Sequence, residues 1–292
     1  MITTPLPPPP IIESADALLA RYDVVFCDVW GVVHDGRTAY VAGCAALARF
    51  RRRGGTVVLL TNAPRAADAV ARILAEKHVP EEAWDAIVSS GEITRAHVAD
   101  AGYQAVHHIG PDRDLDLFEA IAARRVPLAE ADALIATGLV DDRRETGEHY
   151  RAPLAPALDR GLELVCANPD LVVDVGGTML PCAGAIATVY EAMGGPVYWA
   201  GKPHRPAYEM ARACAQELRQ AEVALDRILA IGDAVRTDLA GASNFGIDSL
   251  FIGQGIHRDE VLGADRRFRR DRLARLLSAD APRPVAAMVG LA

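Results

Sequence analysis

Residues 23–36 read DVVFCDVWGVVHDG, and the fold is decided in this stretch. The apolar run that Asp23 opens does not alternate, so residues 23–29 read as a short strand buried on both faces rather than one face of an open sheet. Working downstream, residues 42–53 carry apolar positions at helical spacing and stop at Gly54-Gly55, a helix C-terminus. Residues 56–61 (TVVLLT) repeat the buried-strand pattern, and 65–78 return to helical spacing. A βαβα opening of this kind predicts an α/β protein with a mostly parallel sheet. Upstream, residues 5–10 (PLPPPP) form a polyproline tract. It reads as a stiff, solvated leader, with docking on a partner as the alternative.

Further along, the texture changes. Between about 90 and 195 the strands are weaker, near 105–109, 132–136 and 163–167, and polar segments such as DDRRETGEH separate them. Strong buried-strand signals return at 197–200, 227–232 and 248–252, with helices near 205–219 and 235–245. The outer segments are therefore expected to build one sheet, with a second α/β module inserted as a cap. This divides the chain into a core first part, 1–88, with the proline-rich leader; a cap, 89–195; and a core second part, 196–292.

Composition narrows the partners. The chain of 292 residues is 51% hydrophobic with a formal net charge of −8, enough apolar mass for a substantial core. Without a broad basic field it is not expected to bind nucleic acid. No signal peptide and no apolar stretch of membrane-spanning length is read, so no membrane partner is expected and the protein is placed in the cytoplasm. Cys27, Cys44, Cys166, Cys182 and Cys214 lack CxxC spacing and read as small buried hydrophobes of a reducing compartment.

Ligands of parallel α/β sheets bind beyond the carboxyl ends of the strands. Polar residues stand at four such places: Asp28; Thr61 with Asn62; Lys202 in GKP; and Asp233 with Asp238 in GDAVRTD. Singly, each has an ordinary structural reading, as helix cap, turn residue or solvated charge. Together they supply what phosphoryl transfer needs: an anionic nucleophile, a Mg²⁺ site and donors for the phosphoryl oxygens. On this reading Asp28 and Asp233 hold Mg²⁺. Asp28 attacks, Lys202 pairs with Asp28 and the transferring oxygens, and Thr61 binds the equatorial oxygens. Water then cleaves an aspartyl phosphate.

The runs DVWGVVHDG, LLTNAPR, GKPHRPAYE and GDAVRTDLAGA resemble the four motifs of the haloacid dehalogenase (HAD) superfamily. TNAPR, CANPD (166–170) and PCAGA (181–185) are similar to its subclass IIA, the NagD-like sugar phosphatases, over nearly the whole chain. The resemblance implies a Rossmann-like core with an inserted α/β cap, and Mg²⁺-dependent hydrolysis of a small phosphorylated metabolite, such as a sugar phosphate or a nucleotide-like ester. It matches Asp28 to the nucleophile and a metal ligand, the Trp30 carbonyl to a second ligand, and Asp233 to a third with Asp238 as its supporting acid. Thr61 and Asn62 match the phosphate binders and Lys202 the charge-pairing lysine.

One position departs from the pattern. The family phosphatases usually carry Asp two residues after the nucleophile, as general acid to the leaving alcohol, and here that position is Trp30. General acid catalysis contributes about 10²–10⁴-fold, and an indole cannot provide it. The favoured reading is a slow or specialised phosphatase in which His34, Asp35, a cap residue or the substrate supplies the proton. His34 and Asp35 also read as a surface turn around Asp35-Gly36. Two alternatives stand beside it: a metal-independent haloacid-dehalogenase-like carbon–halogen hydrolase, and a non-catalytic phosphometabolite-binding protein.

In the cap, Asn168 and Asp170 are the substrate-binding candidates, because the NPD turn follows a strand, although such a turn is equally well structural. His107 and His108 fall on opposite faces of a strand, which disfavours a metal pair. Arg143, Arg144 and Arg236 read as surface charge, and RRFRRDRLAR (266–275) as an amphipathic helix with Phe268, Leu273 and Leu276 inward. Relatives of this kind are often dimers or higher oligomers. No feature of the sequence fixes the state, so a homo-oligomer stays open.

Overall fold

A computed structural model describes residues 7–175, 177–277 and 281–292. Its strands are β1 (Val24–Cys27), β2 (Thr56–Thr61), β3 (Ala86–Ser89), β4 (Ala105–Ile109), β5 (Arg124–Arg125), β6 (Ala133–Ala136) and β7 (Glu163–Cys166). They continue as β8 (Val172–Val175), β9 (Thr178–Pro181), β10 (Val197–Trp199), β11 (Ile228–Gly232), β12 (Asp248–Ile252) and β13 (Ala286–Met288). The chain forms two compact units, one of Met1–Leu60, Ala71–Ile87 and Tyr208–Ala292, the other of Thr61–Val70 and Val88–Ala207.

A six-stranded sheet runs in the order β13-β12-β11-β1-β2-β3, and its pairs from β13 through β2 are all parallel. β1, β2 and β11 are buried at every position, as their apolar runs require. Helix Val41–Arg52 ends where the glycines allow a reversal: Gly54 takes φ +89°, and Gly55 N–H donates to Phe50 O at 3.1 Å. The parallel, Rossmann-like α/β architecture expected from the sequence is thus present.

The second unit has its own sheet, β10-β7-β6-β4-β5, parallel throughout, and an antiparallel hairpin of β8 and β9. Its core packs Leu134, Leu164 and Cys166 against Ile186 and Tyr190. Here the structure corrects the sequence reading. Residues 197–199 pair with β7 and do not join the six-stranded sheet, and they are only partly buried, as suits an edge strand carrying aromatic side chains. Tyr198 stacks on His97 with ring centroids 3.4 Å apart, and Trp199 stacks on His204 at 5.1 Å. The reading also passed over helix Ser90–Ala101. Its start is marked by Ser89, whose side chain accepts the Glu92 N–H at 3.1 Å, and its end by Gly102 at φ +72°.

The proline tract is a second correction. Of its residues, 5 and 6 lie outside the described ones, but Pro7 and Pro10 are not a free leader. Pro10 O accepts the Ala287 N–H of β13 at 2.9 Å, Ile12 N–H returns to Ala287 O at 3.0 Å, and Pro7 O accepts from Arg283 at 2.9 Å. A proline that accepts without donating is suited to lie along a sheet edge. Among the described residues no helix is long and apolar enough to cross a membrane. Four of the five cysteines are buried, with Cys214 intermediate.

His107 and His108 on β4 face different partners, Val126 O and Thr137 Oγ1, at 3.0 and 2.9 Å. Burial pushes the His108 imidazole down to about 4, with a further push from Arg125, so it folds neutral. An unfolded chain takes up that proton below about pH 6.5, so stability falls as pH drops from about 6.5 towards 4. The slope is at most about 1.4 kcal/mol per pH unit from this group. Urea unfolding of wild type and His108→Gln at pH 7.5 and 5 checks this: the variant is expected to show a smaller drop.

Candidate active site

β1 and β11 are parallel neighbours in register, Cys27 opposite Ile231, so the residues that follow them emerge at the same end of the sheet. Asp28 follows β1, and its N–H donates to Ile231 O at 2.8 Å. Asp233 follows β11. Asp238 comes round within a single π turn, Val235–Leu239, which opens the helix completed by Ala240–Phe245. Each of the three offers a carboxylate oxygen within 4.8 Å of the others, and Asp233 and Asp238 are buried. No other such group of possible metal ligands occurs among the described residues.

The backbone around these acids holds them in place. Asp233 Oδ2 accepts the Ile256 N–H at 2.7 Å, and a side chain in place of Gly31 or Gly255 would overlap that carboxylate. Gly31 also adopts φ +81°, open to glycine at no steric cost. Asp238 Oδ2 accepts the Ala234 N–H at 3.0 Å, and the buried Tyr208 hydroxyl donates to Asp238 O at 3.1 Å. Three carboxylates this close repel one another in a poorly hydrated site. A hard divalent cation with oxygen ligands relieves the repulsion, so the donor set fits Mg²⁺ or Ca²⁺ and not a soft metal.

Trp30 lies two residues beyond Asp28 with 38% of its surface exposed. Its ring packs over Gly36, where a side chain would collide with it, and meets His34 edge to face at 5.3 Å. His34 is buried, its Nδ1 accepts the Gly36 N–H at 2.9 Å, and burial, aided by Lys77, holds its imidazole at about 4. Asp35 Oδ1 accepts from the Arg37 and Thr38 N–H groups, both at 2.8 Å, which keeps its carboxyl below the usual range. Both side chains are therefore engaged in the turn around Asp35-Gly36.

β2, the parallel neighbour of β1 on its other side, ends in Thr61, a buried residue whose Oγ1 accepts the Ala63 N–H at 3.3 Å. In the second unit the structure brings together Asn62, Asp170 and Lys202. Asn62 Oδ1 accepts the Lys202 N–H at 2.8 Å, and Nδ2 donates to Lys202 O at 3.0 Å and to Asp170 Oδ1 at 2.9 Å. Asn168 closes an Asx turn by accepting the Asp170 N–H at 3.1 Å. Lys202 is itself buried, at 4% exposure.

Several participants escaped the sequence reading. Ile256 and Gly255 lie just past the carboxyl end of β12, where the strand-end rule points, but a backbone N–H acts here and no polar side chain marks it in the sequence. The run GQG at 253–255 was the available signal. Tyr208, in the GKPHRPAYE run, carried no signal of its contact with Asp238.

Known proteins resemble this chain over most of its length. A family model described as haloacid dehalogenase-like hydrolase matches residues 25–123, and one described as HAD-hydrolase-like matches 199–279. The solved structure of a haloacid dehalogenase-like hydrolase from Brucella suis 1330 is 40% identical and superposes with a TM-score of 0.83, covering 96% of this chain and 100% of that one. The chain belongs to the haloacid dehalogenase-like hydrolase family and is a hydrolase. The 5'-nucleotidase YutF of Bacillus subtilis (strain 168) is 23% identical over 252 residues, 85% of this chain and 93% of that protein. A glycerol phosphate phosphatase of Mycobacterium tuberculosis, solved in complex with magnesium, shares 24% identity with a TM-score of 0.63, over 84% of this chain and 71% of that one.

Proposed function

We propose that the protein is a Mg²⁺-dependent phosphatase of subclass IIA type, acting on a small phosphorylated metabolite through an aspartyl phosphate at Asp28. The observation that carries the reading is the cluster of Asp28, Asp233 and Asp238 at the carboxyl end of the parallel sheet. The relatives named as a nucleotidase and a glycerol phosphate phosphatase, one of them in complex with magnesium, support the substrate class and the metal. We assign the catalytic core to residues 1–88 and 200–292 and the substrate-selecting cap to 89–199, with the second junction past Trp199 rather than at 195 because β10 pairs with β7. A cytoplasmic location belongs to the same reading, and a homo-oligomeric state stays open.

In this mechanism Asp28, Asp233 and the Trp30 carbonyl would hold the cation, with Asp238 supporting. Bound there, Mg²⁺ would neutralise charge between the anionic nucleophile and a phosphate dianion. An Asp28 carboxylate oxygen attacks phosphorus, the bond from phosphorus to the alcohol oxygen breaks, and its electron pair leaves with that oxygen. Water then attacks phosphorus and the bond from phosphorus to the Asp28 oxygen breaks, restoring the carboxylate and releasing inorganic phosphate; the proton that this water loses to solvent balances the one that the leaving oxygen takes from solvent. Lys202 and Thr61 stabilise the phosphoryl oxygens, while Asn62, Asn168 and Asp170 shape the surroundings of Lys202 and the substrate. The acidic cluster favours this reading over a metal-independent carbon–halogen hydrolase, whose chemistry has no use for three converging carboxylates.

A phosphate-release screen over sugar, nucleotide and aryl phosphates, with Mg²⁺ and with EDTA, tests the reading. Hydrolysis is expected with Mg²⁺, lost in EDTA and restored by excess Mg²⁺. Turnover of chloro-acids that is indifferent to EDTA, with no phosphate release, contradicts it. The cradle around Asp233 gives a second expectation. Gly255→Ala forces Asp233 aside, and Mg²⁺ affinity measured by titration calorimetry is expected to fall about 10–100-fold.

A further inference from the structure

We propose that Asn62 is a positioning residue: its side chain clamps the Lys202 backbone to the Asn168–Asp170 turn and acts on the reaction through Lys202, without touching substrate. An amide side chain can accept two hydrogen bonds and donate two. All four places on Asn62 are taken by protein. Oδ1 accepts the Lys202 N–H at 2.8 Å and the Ser90 Oγ–H at 3.5 Å; Nδ2 donates to Lys202 O at 3.0 Å and Asp170 Oδ1 at 2.9 Å. The paired bonds to one residue's N–H and C=O copy a rung of a β-ladder, and so fix the direction in which the Lys202 side chain leaves the backbone.

The surroundings are built for the clamp. Asn62 is 5% exposed and Lys202 4%, so loss of either partner would strand polar groups out of water. Gly201 leaves no space for a side chain: one placed there would run into Ser90 Oγ, Asn62 Oδ1 and the Pro169 ring. Asn168 Oδ1 holds the Asp170 N–H at 3.1 Å, which sets the turn that presents Asp170 to Asn62. One buried amide thus ties together the end of β2, the turn at 168–170 and the turn at 201–203. The carboxylate of Asp170 is accordingly a support for Asn62.

The inference rests on the phosphatase reading only for the part Lys202 plays in the reaction, so its test carries one readout that needs no activity. Asn62→Asp, Asp170→Asn and the double variant are compared by hydrogen–deuterium exchange of the Lys202 amide segment and by kcat/KM for 4-nitrophenyl phosphate with Mg²⁺. Asn62→Asp sets two carboxylates face to face: Lys202 protection is expected to fall, and kcat/KM to fall at least 100-fold with partial recovery at lower pH. The double variant exchanges amide and carboxylate across the 62–170 contact but leaves Lys202 O without its donor, so it is expected to regain part of the Lys202 protection and at least 10-fold in kcat/KM. Protection of Lys202 that is unchanged in Asn62→Asp overturns the inference. A double variant that recovers protection but is no more active than Asn62→Asp also overturns it, because Asn62 would then act on substrate directly. If wild type hydrolyses no phosphate ester, the phosphatase reading fails, whatever the exchange data show about the clamp. Thermal melts by circular dichroism identify a variant that fails to fold, and Asn62→Ser, whose single shorter hydroxyl cannot hold Lys202 N–H and C=O together, then serves in its place with reduced protection expected.

Discussion

Asp28→Asn is expected to abolish hydrolysis of phosphate esters, with kcat falling on the order of 10⁴-fold or more, the scale of loss when a nucleophile is removed. The amide that replaces the carboxylate could still accept from a neighbour, but it is a poor nucleophile and carries no charge. The substitution leaves Asp233 and Asp238, with their bonds to Ile256 and Ala234, in place. The variant is therefore expected to fold with an unchanged circular dichroism spectrum and to bind Mg²⁺ more weakly than wild type, but measurably by calorimetry. Residual turnover within 10-fold of wild type at saturating Mg²⁺ would remove Asp28 from the nucleophile's role.

The second large effect concerns Trp30. Its indole, wedged against Gly36 and His34, offers no ionisable proton, and the two titratable side chains of the same loop are committed to the turn. His34 is held neutral by burial and Asp35 is held ionised by two backbone N–H groups. Leaving groups that need a proton are thus served poorly by this loop. Trp30→Asp introduces a carboxyl two residues from the nucleophile, and its expected result is a gain of about 10²–10⁴-fold on alkyl phosphates. The gain on 4-nitrophenyl phosphate is expected to be much smaller, since nitrophenolate departs without protonation. A steady-state comparison of the two substrate classes checks this. If wild type is inactive on aryl phosphates with or without Mg²⁺ and only Trp30→Asp is active, the native chain is not a working phosphatase.

Much of the fold was legible because burial on both faces leaves an unbroken apolar run. β2 at 56–61 and β4 at 105–109 stand where the sequence reading puts them, and helix Val41–Arg52 stops at the glycines that mark its end. What was not legible was long-range. Val197-Tyr198-Trp199 looks like a core strand from its own residues, and only its pairing with β7 reveals which sheet it joins. The β8–β9 hairpin has no strong strand signal, because Val172, Val175 and Met179 are exposed and Leu180 is its one buried position among the described residues. The acids were found by the rule that ligands sit past strand ends, which needs only strand assignments. The grip of Asn62 on Lys202 spans 140 positions, and no local pattern announces it. Sequence reasoning assigned Asn62 by its motif alone; its hydrogen bonds say what occupies its amide.

The measurement closest to the central claim is acid quenching of the enzyme during turnover of 4-nitrophenyl phosphate with Mg²⁺, followed by mass spectrometry of the peptide that contains Asp28. The account predicts that this peptide gains one phosphoryl group, that hydroxylamine removes it, and that the gain is absent in EDTA. Steady phosphate release with no phosphoryl group on that peptide, or with the group on another residue, would contradict it.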